Sequence, residues 1–180
     1  MVSRITTPAS IEAAPEASRP LLEAVKDRLG VVPNIFRLVA NSPATLEGYL
    51  GLQAALSKGS LERATRERIG IAIAQLDGCS YCLSAHTFIG KTTEELGDTE
   101  IIANRNGASH DPKANAAVGF AVKLVRNRGH VSSGDLEQVR SAGYSDSEII
   151  EIIGHVAVNT FTNYVNEALG TTIDFPIVRP

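Results

Sequence analysis

The 180-residue chain sets 17 Lys and Arg against 20 Asp and Glu, a formal net charge of −3, which excludes the strongly basic surface of a nucleic-acid binder. Hydrophobic residues make up 43% of it, enough for one full apolar core, and no apolar run is long enough to cross a bilayer. With 2 cysteines in all there is no disulfide framework, and the start Met1-Val2-Ser3-Arg4 lacks the apolar centre of a secretory leader. A cytoplasmic domain with one cysteine site is the expectation.

Residues 1–15, with Pro8 and Pro15, read as an N-terminal arm, residues 16–170 as one all-helical domain, and residues 171–180 as a tail. Leu21, Leu22, Val25 and Leu29 recur at helical spacing and Gly30 ends that helix. After Val31-Val32-Pro33, Asn34 is placed as the cap of a short turn through Leu38. Ser42 and Pro43 open a helix through Leu56. Ser60 is taken as the cap of the next, which runs through Glu67, Ile69 and Leu76 to Asp77-Gly78.

The cysteine segment spans Cys79 to about Gly90, and Thr92 or Thr93 begins a short helix. Asp111-Pro112 introduces one through Val118 and Val125 to Arg128. Ser132 starts a short helix, and Ser145 with Glu148 starts the last long one, to Leu169. Alternation in Ile71-Ala72-Ile73 mimics a strand, but its flanks are helical, so strand content near zero is expected. Ile69–Ala74 faintly echoes Ile153–Val158, and similar apolar helices explain that equally well.

Chemistry concentrates around both cysteines. On a helix, Cys79, Cys82 and His86 fall within a sector of about 60°, with Tyr81 pointing away. Cys82 and His86 are an i, i+4 pair, so His86 can take the Cys82 proton and leave a reactive thiolate. Gly78 breaks the preceding helix and puts Cys79 at a helix N-terminus, which also favours a thiolate. Residue chemistry alone leaves both cysteines as candidate nucleophiles. If the Gly78 turn folds the two helices together, Glu67 approaches Cys79 and can pass a proton.

Glu67, Cys79-x-x-Cys82 and His86 resemble the pattern of the alkylhydroperoxidase AhpD family, the thiol-active branch of the carboxymuconolactone decarboxylase-like superfamily. Val32-Pro33-Asn34 and Phe161-Thr162-Asn163-Tyr164-Val165-Asn166 look like its peroxidase-related subgroup. The resemblance implies an AhpD-like all-α fold, assembly into dimers, trimers or hexamers, and reduction of a small hydroperoxide without a metal or organic cofactor. It assigns attack to Cys82, resolution to Cys79 and the proton relay to Glu67 and His86. It also implies regeneration by an external dithiol, lipoylated or thioredoxin-like. Tyr81 stands where the best-known members carry a second histidine.

Other readings compete. A zinc ion could take Cys79, Cys82, His86 and Glu67, but structural zinc usually has a second ligand pair elsewhere. Haem attachment would need histidine where Leu83 stands. A lactone decarboxylase-like lyase and a non-enzymatic redox-sensing oligomer are the functional alternatives. His110 and His130 read as loop residues, His155 as a satisfied core histidine, and Asn163 and Tyr164 as either pocket or helix-interface residues. The tail 171–180 reads as extended, able to pack on a neighbouring subunit.

Overall fold

Six consecutive residues, Ile69 to Ala74, are buried in the middle of one helix, and the architecture follows from that. A helix apolar on all sides has to lie inside the protein. In the computed structural model, which describes residues 3–180, helix α4 (Arg63–Leu76) is that central rod. One side of it, with Ile71 and Ala74, faces a core shared with α1 (Arg19–Leu29), α2 (Asn34–Val39), α3 (Pro43–Leu56) and α5 (Ser80–Thr92). The other side, with Ile69, Ala72 and Ile73, faces a second core built with α7 (Pro112–Arg126), α8 (Ser133–Ser141) and α9 (Asp146–Leu169). The short α6 (Asp98–Arg105) completes the set, and the described residues contain no strand.

Local signals account for most helix starts. Ser42, Asp111, Ser132 and Ser145 each accept the backbone N–H three residues on, and Ser132 and Ser145 form reciprocal capping boxes with Asp135 and Glu148. Three starts differ from the sequence expectation. Asn34 is the first residue of α2 rather than its cap, and its amide instead donates to the Thr172 carbonyl at 2.8 Å. Helix α4 starts at Arg63, not after Ser60, because the N–H groups of Ser60 and Leu61 donate to the Glu151 carboxylate of α9 at 3.0 and 2.8 Å. Helix α6 begins after Gly97, well beyond Thr92 and Thr93, which close α5.

Both ends of the described chain lie along the helical body. The first two residues of the expected arm lie outside the described residues. From Ser3 on, Arg4 donates to the carbonyls of Leu169 and Ala168, Arg37 holds those of Pro8 and Ala9, and Ala14 is buried. The tail after Gly170 folds onto its own chain, with Ile173, Phe175 and Val178 packed against the first core. Among the described residues no helix is long and apolar enough to cross a membrane.

Candidate active site

Gly78 takes a left-handed φ of 72°, open to glycine at no steric cost, and reverses the chain between α4 and α5. Cys79 follows as the residue that caps α5, its sulfur accepting the Cys82 N–H at 3.2 Å. The C-x-x-C therefore sits at the start of a core helix, and its two sulfurs are joined as a disulfide. The partners are unequal in access. Cys79 is fully buried and does not line the chamber of about 410 Å³ whose wall includes Cys82.

His86, one turn beyond Cys82, lines the same chamber. Its Nδ1 is 2.8 Å from Oε2 of Glu67 on α4, so the relay residue expected near Cys79 is instead joined to the histidine. Burial opposes charge on His86, yet the Glu67 carboxylate, its hydrogen bond and the neighbouring Asn159 side chain outweigh burial and raise the imidazole above its usual pKa. A third group meets Cys82 from α9, where Asn166 Nδ2 donates to its sulfur at 3.2 Å.

The cleft has two lobes that share His86, Tyr49, Gln53, Thr162, Arg28 and Leu29. The Cys82 lobe is walled by aromatic rings. Phe36 stacks on Tyr49 at 5.5 Å, and Tyr81 and Phe88 meet Phe175 at 5.7 and 5.9 Å. Tyr81, expected to point away from the cysteines, is thus part of their chamber. Its hydroxyl accepts the Ile35 N–H at 3.3 Å, and burial, then nearby Asp174, holds the phenol neutral by raising its pKa.

The other lobe, of about 310 Å³, is polar and contains Glu67, His155, Asn159 and Arg66. Arg66 is committed to the chain, donating to the carbonyls of Leu61, Ser57 and Gly59. His155 is buried, but its Nε2 has no hydrogen-bond partner, so it is not the satisfied core histidine that the sequence led one to expect. Burial, then the Arg66 charge, depresses its pKa to about 4.

Sequence reasoning missed Asn166, Asn159 and Gly70. The first two had a signal, since Asn159, Asn163 and Asn166 are poor helix formers repeating on one face of α9. Asn163 reaches Asp77 at 2.9 Å and sits outside both lobes, and Tyr164 is exposed. Neither His110 nor His130 lines either lobe. The described residues contain no cluster of three or more metal-ligating side chains; Cys79 and Cys82 are bonded to each other, and Glu67 is paired with His86.

An all-helical domain with a C-x-x-C at the head of a core helix, a histidine one turn on and a carboxylate behind it defines the class. Residues 43–123 match the carboxymuconolactone decarboxylase family. A peroxidase-related protein from Ralstonia eutropha JMP134 with an alkylhydroperoxidase AhpD core superposes with a TM-score of 0.84 at 27% identity, covering 97% of this chain and 93% of that one. A peroxidase-related protein from Silicibacter sp. TM1040 shares the fold with a TM-score of 0.80 at 24% identity, over 94% and 91% of the two chains. Over residues 43–123, and in its all-helical fold, the chain is similar to the AhpD/carboxymuconolactone decarboxylase-like superfamily. It is also 29% identical over 59 residues to the uncharacterized protein YdfG of Bacillus subtilis (strain 168); that match spans 33% of this chain and 38% of that protein, well under half of either.

Proposed function

We propose that the protein is a thiol-dependent hydroperoxide reductase in which Cys82 attacks and Cys79 resolves. The observation that carries this reading is the unequal access of the bonded pair, with Cys82 on the wall of an apolar chamber beside His86 and Cys79 sealed behind it. In the reduced protein, neutral His86 takes the Cys82 proton, with Glu67 stabilising the imidazolium. The thiolate attacks the terminal oxygen of the hydroperoxide, the O–O bond breaks, and the departing alkoxide takes the proton back from His86. Cys82 is left as a sulfenic acid. The Cys79 sulfur displaces its hydroxyl, which leaves as water with the Cys79 proton, and the disulfide closes. Two electrons from an external dithiol restore both thiols.

Regeneration has to begin at Cys82, the sulfur that borders the chamber. That favours a slim dithiol or a dithiol arm, such as a lipoyl group, over a flat protein surface. An intracellular compartment with such a donor suits the cycle. Assembly of several copies is part of the same reading, since α3 exposes Ala44, Gly48, Gly51, Leu52 and Ala55 beside Ile150, Ile153 and Tyr164 of α9. Apolar helix faces of this kind are usually covered.

The test is single-turnover reduction of tert-butyl or cumene hydroperoxide by the prereduced protein, with thiols counted. Two thiols lost per peroxide consumed, and none in Cys82→Ser, is the expected result. Unreactive thiols would overturn it and leave lactone turnover, or a change of assembly on oxidation, as the reading to pursue.

A further inference from the structure

The wall of the Cys82 chamber farthest along the chain is Phe175, which belongs to the tail rather than to any helix. Its ring meets two others, and the tail is anchored on both sides of it. It meets Tyr81 edge-on, with ring planes at 87°, and leans on Phe88. On the N-terminal side the tail is tied to α2, where Asn34 donates its backbone N–H to Asp174 at 2.7 Å and its amide to Thr172 O at 2.8 Å. On the C-terminal side Val178 donates its N–H to the Ser84 hydroxyl of α5 at 2.9 Å, and Arg105 donates to Arg179 O at 2.8 Å. A segment without secondary structure needs such anchors to keep one side chain in place.

The tail packs on the first core through Ile173, Phe175 and Val178, yet Phe175 is only partly buried and Phe88 is exposed, so the Phe175 ring also lines the open chamber. What the anchored ring does is narrow the chamber and give it an aromatic face near Cys82. The same chamber is also lined by the stacked rings of Phe36 and Tyr49. A substituent in this chamber meets aromatic rings, and of the chargeable side chains of the polar lobe only Arg28, Tyr49 and His86 also line this one.

We propose that Phe175 is a specificity-determining residue, through which the tail selects hydroperoxides carrying an aryl substituent. This rests on the peroxidase reading of the site. The aryl group packs against Phe175 while the peroxide oxygens point to Cys82 and His86. The contact acts on recognition alone, because Phe175 has no hydrogen-bonding group with which to take part in the chemistry.

Phe175→Ala and Phe175→Leu test this with three oxidants, cumene hydroperoxide, tert-butyl hydroperoxide and hydrogen peroxide, each scored by the second-order rate of Cys82 oxidation. The expected result is a fall of about two- to tenfold in the cumene to tert-butyl rate ratio for Phe175→Ala, the scale of one lost aromatic contact. Phe175→Leu, which keeps apolar bulk but no ring, should show the larger part of that fall, and the hydrogen peroxide rate should stay at the parent value in both. An unchanged ratio with intact hydrogen peroxide turnover would overturn the proposal. Three rates falling in parallel would overturn it too, assigning Phe175 a merely structural role that a thermal melt would show. A parent protein inert to all three oxidants would instead sink the peroxidase reading itself.

Discussion

The ring of His86 lies against the backbone of Gly70, so close that a Cβ there would come within 2.6 Å of Nδ1 and Cε1. Glu67, one turn earlier on α4, accepts or shares the proton of that same Nδ1. The missing side chain at position 70 is therefore what lets the imidazole settle on α4 and reach the carboxylate. Gly70→Ala should leave the helix intact, alanine being the better helix former, while pushing the ring into the cleft. The peroxide reaction is expected to slow by roughly 10- to 100-fold, part of what positioned proton transfer contributes. Stopped-flow oxidation together with a thermal melt checks both halves of the statement.

Glu67→Gln separates charge from shape at the same contact. The carboxylate raises the His86 pKa, so without its charge only the neighbouring Asn159 side chain and a neutral amide oppose burial, and the value falls. His86 takes a proton only when neutral. The acid limb of the rate profile should therefore move to lower pH in the variant, while the plateau drops because the weaker base accepts the Cys82 proton less readily. A limb that stays in place would show that another group governs it.

Asn166 offers its amide to the Cys82 sulfur, and a thiolate gains more from that donor than a thiol does. Asn166→Leu should raise the Cys82 thiol pKa by about one unit, the worth of one hydrogen bond to a charged group. The pH dependence of bimane alkylation in the reduced protein measures it. Alkylation should reach Cys82 before the sealed Cys79 in the parent chain.

His155 predicts a pH effect on folding rather than on rate. Its pKa is about 4 in the folded chain against 6.5 for the free side chain, so the unfolded state binds the extra proton between those values. Stability should thus be level above pH 6.5 and fall toward pH 4, by as much as about 3 kcal/mol. His86 acts in the other window. Its raised pKa adds stability that is fully present below 6.5 and is lost as pH rises through the folded value. The groups facing His155 are Arg66, Glu151, Glu67 and His86. Urea unfolding at pH 7 and pH 5 should show a smaller difference in His155→Gln than in the parent chain.

Local rules made much of this legible. Ser42, Asp111, Ser132 and Ser145 cap helices because the interaction is complete within four residues, and the motif of Glu67, Cys79, Cys82 and His86 is likewise a matter of spacing. What escaped was set by partners distant in the chain. Ser60 is no cap because Glu151, 91 residues on, takes its N–H. Asn34 turns to Thr172 and Asp174. Glu67 was in the right place for the wrong neighbour, since only the packing of α4 on α5 decides whether its carboxylate meets a sulfur or an imidazole. Gly70 is silent in a single sequence, because its role is the space it leaves.

The Cys79–Cys82 bond joins residues three apart at the head of one helix, with Cα atoms 5.4 Å apart. A ring this short removes little disorder from the unfolded chain, so it is a weak fastener. It also spans no two elements, and opening it asks no helix to move relative to another. In the proposed cycle the pair is charged and discharged like a small cell in a fixed housing, with the cost of each turn confined to two sulfur atoms and the protons beside them.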